Sequence, residues 1–331
     1  MVLERILDVA CAEDASDIHL RAGMPPALRV DGVVEVLAHE LLSEDDLLSF
    51  LSRVVTKEGL DAFLARREID GAFSTSHGRW RLHAYHSERG AGVALRRLPK
   101  VVPSLDELGL PSVVRDLVTR EQGLILVTGA TGSGKSTTAA AMLSLIGHSR
   151  SSHIVTIEDP IEYLFDLPRG IVSQREVGKH TCSFAQALRA ALREDPDVIF
   201  VGEMRDLETT RLALQAAETG HLVISTLHTG GAAKTVSRIV DVFPAEQQSL
   251  VRAILAETVE AIISQELIPT SLGKRVLVPE VLIGTPAARA LIRDGKFHQI
   301  EHLMHTSLDV GMQTRARAVE TLRRAGLVNS D

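Results

Sequence analysis

Two patterns of apolar positions divide the chain. Up to about residue 98, short alternating runs mix with amphipathic stretches. Leu3, Ile6, Leu7 and Ala10 fall at helical spacing, and Asp17-Ile-His-Leu20 alternates as a strand does. Ala27 to Val30 and the residues from Val33 flank Asp31-Gly32, a hairpin signal. Ser43 precedes three acids and a helical run through Val55, which is the chemistry of a capped helix start. A second helix is predicted over 57–67, then strands over 69–74, 79–86 and 91–98. This set implies a small α+β domain over 1–98. Residues 99–112 carry Pro99, Pro103 and Pro111 and little period, so they read as a linker.

From 113 the pattern changes. Short, mostly apolar runs at 124–127, 153–157, 171–174, 197–201 and 222–226 read as strands, with helical spacing between most of them. Such runs are strands buried on both faces, so the second domain, 113–331, is expected to be α/β with a mostly parallel sheet. Beyond about 244 the spacing predicts mainly helix, with one strand over 276–282 and a helical end from about 284.

The first apolar run leads directly into chemistry. Leu124 to Val127 is followed by Gly129-Ala-Thr-Gly-Ser-Gly-Lys-Ser136-Thr137 and then a helix-forming run. Strand, G-x-x-x-x-G-K-S and helix together define a P-loop. The amides of Gly129, Ala130, Thr131, Gly132, Ser133 and Gly134 would face a nucleoside triphosphate, with Thr137 behind them. Lys135 would meet the β- and γ-phosphates, and the Ser136 hydroxyl would hold Mg²⁺. ATP and Mg²⁺ are therefore the expected ligands.

Ligands of open α/β sheets gather beyond the carboxyl ends of the strands. The strand at 153–157 is followed by Glu158, Asp159 and Glu162, of which Glu158 is a nucleotide candidate and Glu162 a metal or catalytic one. The strand at 197–201 is followed by Gly202-Glu203, a Walker-B-like ending with glycine in the usual aspartate place. Glu203 is the candidate for orienting or activating the attacking water. His228 follows the strand at 222–226 and could report on the γ-phosphate. His221 precedes the same strand and is the weaker contact.

Composition narrows the partners. The 331 residues are 45% hydrophobic but only 3% aromatic, so the cores must be aliphatic. A net charge of −7 argues against a general nucleic-acid surface. Cys11 and Cys182 are the only cysteines, without metal-ligand spacing. No apolar run reaches the roughly 18 residues of a membrane span, and the first residues lack a signal-peptide pattern. A cytoplasmic location is expected.

The motifs in order resemble the ATPase superfamily of type II and type IV secretion machines. The resemblance rests on the P-loop, Ile157-Glu-Asp-Pro-Ile-Glu-Tyr163, Val201-Gly-Glu-Met-Arg-Asp-Leu-Glu-Thr209, and Thr219-Gly-His-Leu222 through Thr226-Leu-His-Thr229. Ala15-Ser-Asp-Ile-His-Leu20 and Pro25 to Gly32 resemble the family's N-terminal domain, and Thr285-Pro-Ala-Ala-Arg-Ala-Leu-Ile-Arg293 resembles the C-terminal signature helix of its pilus-retraction members. The resemblance implies a PAS-like first domain, a RecA-like ATPase domain and a homo-hexamer with nucleotide between subunits. Arg81 and Arg96 match the family's arginines that reach the triphosphate, as arginine fingers do. The implied function is ATP-driven pilus retraction through an inner-membrane platform protein, with the motor peripheral to that membrane. An accessory retraction paralogue and an assembly or secretion ATPase are the alternatives. Assembly and secretion members usually carry a four-cysteine module and an extra N-terminal domain, and their absence favours retraction. The family's His-Glu-Ile-Met is here Pro279-Glu-Val-Leu282, which retains only Glu280. Ala288 and Ala290 are also smaller than usual.

Overall fold

The computed structural model describes residues 2–271 and 273–328. It comprises two compact units, one running to Val101 and joined by Asp159–Leu164, the other formed by Val102–Glu158 and the chain from Phe165 onward. In the stretch read as a linker, Leu105 and Leu110 are buried in the core of the second unit.

The first unit runs α1 (Val2–Ala12), β1 (Asp17–Arg21), β2 (Ala27–Val30), β3 (Val33–Val36), α2 (Glu44–Val54), α3 (Lys57–Leu64), β4 (Ile69–Thr75), β5 (Gly78–Ser87) and β6 (Gly90–Leu98). Its six strands form one antiparallel sheet in the order β3-β2-β1-β6-β5-β4. Alternation along β5 buries Trp80, Leu82 and Ala84 against α1 and α2 residues such as Leu7 and Leu51, while Arg79, Arg81 and His83 take the other face. The Ser43 hydroxyl accepts the Asp46 amide and the Asp46 carboxylate returns to Ser43, a closed capping box.

The second unit contains α4 (Val113–Leu117), β7 (Gly123–Thr128), α5 (Lys135–Ser149), β8 (His153–Glu158), β9 (Ile171–Glu176), α6 (Phe184–Ala191), β10 (Val198–Val201), α7 (Leu207–Glu218), β11 (Leu222–Leu227), α8 (Ala232–Asp241) and α9 (Gln248–Thr258). It continues with β12 (Val259–Pro269), β13 (Arg275–Ile283), α10 (Pro286–Arg293), α11 (Ile300–Thr306) and α12 (Arg315–Arg324). The sheet order is β13-β12-β7-β11-β10-β8-β9, parallel throughout except for β13 against β12. This is the expected α/β fold, with a separate antiparallel first unit.

Central β7 is buried along its whole length, and its side chains serve two cores in alternation. Leu124 and Leu126 pack with α7 to α10, whereas Ile125 and Val127 pack with α4 and α5. Helices therefore cover both faces, as near-continuous apolar strands require.

One element departs from the expectation of helix beyond 244. Val259–Pro269 is an eleven-residue strand, parallel to β7 and antiparallel to β13. Val259, Ile262, Ile263 and Ile268 are β-branched, and almost all of the first seven residues are buried. Burial on both faces removes the polar alternation that marks a strand in sequence, and the run merges with the helical pattern of α9 just before it. Among the described residues no helix is long and apolar enough to cross a membrane.

Candidate functional site

At the carboxyl end of β7 the chain turns through six residues into α5. Gly129 has φ +147°, and a Cβ there would lie 2.2 Å from the backbone oxygen of Gln265 and 2.6 Å from Ser133 Oγ. No side chain fits. Gly134 caps α5 in the left-handed region with φ +87°, and Gly132 has φ +77°. These conformations bring the loop and the first turn of α5 round one concavity, where the helix dipole favours an anion, although the Gly129 and Ser133 amides, expected to face the ligand, donate instead to the Leu227 and Ala130 oxygens. No acid occupies that first turn. Lys135, buried to 7% exposure, donates from Nζ to the Gly129 oxygen (2.9 Å) and the Ala130 oxygen (2.8 Å), which keeps its ammonium against the loop. Ser136 and Thr137 come next, half-buried.

A residue missed by the sequence reading braces this loop. Gln265, on β12, donates from Nε2 to the Ser133 oxygen at 2.7 Å, fully inside the protein. Its Oε1 and the Ser133 hydroxyl are buried without hydrogen-bond partners. Gln265→Ala is expected to leave the Ser133 carbonyl unpaired at about 1–3 kcal/mol. A looser loop should raise KM for ATP several-fold, which ATP titration and thermal melts of the variant would measure.

Because β7, β8, β10 and β11 are parallel, their carboxyl ends share one edge. Glu203 stands two residues beyond β10 and His228 one beyond β11. His228 bridges the two loops: Nδ1 is 3.4 Å from the Thr131 hydroxyl of the P-loop, and Nε2 is 3.5 Å from Glu203 Oε2. That oxygen is buried and ion-paired with Arg205, whose Nε is 2.6 Å away. A largely buried carboxylate fixed at this edge is suited to orient a water and take its proton. At Gly202, in the usual Walker-B aspartate place, a Cβ would lie 3.1 Å from the Ile157 oxygen, a tight approach. Glu158 at the end of β8 is buried and accepts from Thr156 Oγ1 (2.7 Å) and Gln174 Nε2 (3.4 Å).

His221 lies elsewhere. It precedes β11, at the opposite end of a strand about 17 Å long, and its Nδ1 lies 3.0 Å from the Ala216 oxygen at the end of α7. Glu162 is half-buried and belongs to the segment that joins the first unit, whereas Ser136 belongs to the second. Among the described residues no group of three or more His, Cys, Asp or Glu could hold a metal ion. In the first unit, Arg81 and Arg96 are directly opposite each other on β5 and β6, and Asp17 is opposite Arg96 on β1. Arg96 donates from Nε to Asp17 at 2.8 Å, and Arg81 is exposed beside it. Burial raises the Asp17 carboxyl, but the Arg96 guanidinium and the Ser16 hydroxyl together outweigh it and hold it below the ordinary aspartate value. The pair is thus intact at neutral pH and is lost only as pH falls through that lowered value.

A family profile described as type II/IV secretion system protein matches residues 1–323. The chain is 45% identical to a type IV pilus retractation ATPase, PilT, of Pseudomonas aeruginosa, across 100% of this chain and 96% of that one. It is 46% identical to a twitching motility protein of Neisseria gonorrhoeae over 92% of this chain and 82% of the relative. A crystal structure of the pilus retraction motor PilT with bound ADP superimposes with a TM-score of 0.91 at 48% identity, covering 98% of this chain and 94% of the other.

Proposed function

The chain belongs to the type II/IV secretion system protein family, and from that membership we propose that it is an ATPase motor that retracts a type IV pilus. The observation that carries this reading is the convergence of the P-loop, Glu203 and His228 on one sheet edge, in a chain similar over its whole length to a retraction ATPase.

Within the site, the P-loop amides and Lys135 hold the triphosphate, and the missing side chain at Gly129 lets the loop pack against the Gln265 backbone. Glu203 orients the water and accepts its proton, and His228 reads the state of the γ-phosphate against Thr131. Mg²⁺, when bound, would neutralise charge on the phosphates. Ser136 would be its protein ligand in the second unit, and an ion that keeps most of its water needs few protein ligands. Arg81 and Arg96 serve the triphosphate of a neighbouring copy in a homo-hexamer. Loop and domain closure on ATP, released with product, turns hydrolysis into movement against an inner-membrane platform protein.

Deleting the gene and counting surface pili by electron microscopy tests the direction of movement. Loss of twitching with more pili is the expected result. A bald cell would reassign the protein to assembly. Unchanged pili would make it an accessory ATPase.

A further inference from the structure

The altered stretch Pro279-Glu-Val-Leu282 keeps only its acid, and the structure gives that acid a task. Glu280 lies on β13 directly opposite Ser264 on β12, so both side chains project from the same face of the sheet. The Glu280 carboxylate accepts the Ala232 amide at 2.7 Å, and the Ser264 hydroxyl accepts the Gly231 amide at 2.8 Å. These are consecutive amides at the start of α8, shortly after His228. Gly231 has φ +94°, and a Cβ there would sit 3.5 Å from Glu280 Oε1. Among the described residues no Lys or Arg pairs with Glu280, so its charge is matched by the α8 N-terminus.

A second tie runs to the P-loop strand. Thr229 Oγ1 is 2.7 Å from Thr235 Oγ1, which lies 3.4 Å from Thr128 Oγ1, the last residue of β7. The segment between β11 and α8 is therefore held at Thr229, Gly231 and Ala232, and the side chain between these anchors and the strand is that of His228. Its ring spans the 3.4 Å and 3.5 Å gaps to Thr131 and Glu203, distances that a shift of one ångström would break.

We propose that Glu280 and Ser264 are positioning residues for ATP hydrolysis, acting through His228 rather than on the nucleotide. This rests on the ATPase reading above and extends it to a residue pair outside the nucleotide loops. The ion-pair-free carboxylate acts as a fixed anchor: it neither moves a proton nor meets the phosphates. In the stretch it is the acid that supplies a polar anchor to the first amides of α8.

The test is a double-mutant cycle on the purified full chain, read as steady-state kcat and KM for MgATP. Glu280→Ala is expected to lower kcat about 5- to 20-fold with KM within two-fold, because the P-loop contacts are untouched. In a His228→Ala background the same substitution should lower kcat by less than two-fold more, the signature of residues acting as one unit. Equal falls in both backgrounds would mean a general structural role and overturn the proposal, as would a His228→Ala protein with unchanged kcat. If Glu280→Ala does not fold, Ser264→Ala removes the adjacent anchor and is read in the same cycle with the same criteria. A wild-type protein that binds ATP without turnover would instead defeat the ATPase reading itself, so the two failures are distinguishable.

Discussion

Glu203→Gln is expected to abolish turnover while leaving ATP binding intact. The side chain is only 12% exposed, and glutamine has the same shape, so the packing beyond β10 persists. What disappears is the negative charge of the carboxylate that faces Arg205 and His228, and with it the proton acceptor. Loss of a positioned base costs roughly 10²–10⁴ in rate, equivalent to about 2.7–5.4 kcal/mol of barrier. Phosphate release measured under saturating ATP should fall by that factor, and a fluorescent nucleotide should bind within three-fold of wild type. Hydrolysis at the wild-type rate would remove Glu203 from its role.

Gly129→Ala should damage both the site and the fold, and Gly132→Ala supplies the contrast. At Gly129 the new Cβ would meet the Gln265 backbone oxygen at 2.2 Å, so β12 or the loop must move. Overpacking of this kind costs about 1–3 kcal/mol, and the unfavourable φ adds a similar amount. At Gly132 nothing lies within 4 Å, so only the left-handed backbone is penalised, by about 1–2 kcal/mol. We expect Gly129→Ala to lower Tm by about 5–15 °C and to weaken nucleotide affinity at least ten-fold. Gly132→Ala should move Tm by much less. Equal melting temperatures for the two variants would contradict the close approach of Gln265 to the loop.

The parts of the site that depend on local order were legible in the sequence. A P-loop is a contiguous strand, turn and helix, so its glycines and Lys135 announce themselves. Glu203 and His228 are recognisable as the polar residues that end apolar runs, because parallel strands all finish at one edge. His221 shares their chemistry but sits at the wrong end, a distinction that strand direction already contains. Gln265 was hidden because its strand is buried on both faces and reads as a continuation of helix. Its contact with Ser133 spans more than a hundred residues and depends on β12 pairing with β7, which no local period encodes. The apposition of Arg81 and Arg96 depends likewise on the register across the β5–β6 hairpin.

The divided allegiance of β7 has a consequence for how the second unit comes apart. Leu124 and Leu126 belong to one helical layer, and Ile125 and Val127 to the other. A slip of one residue would exchange the two sets and carry the P-loop with it. Neither layer can melt and leave this strand, or the loop it delivers, in place. Nucleotide bound at that loop therefore lends its binding energy to the cooperative unfolding of both layers, and the slowest-exchanging amides of the unit should be those of its central strand, protected further whenever nucleotide is present.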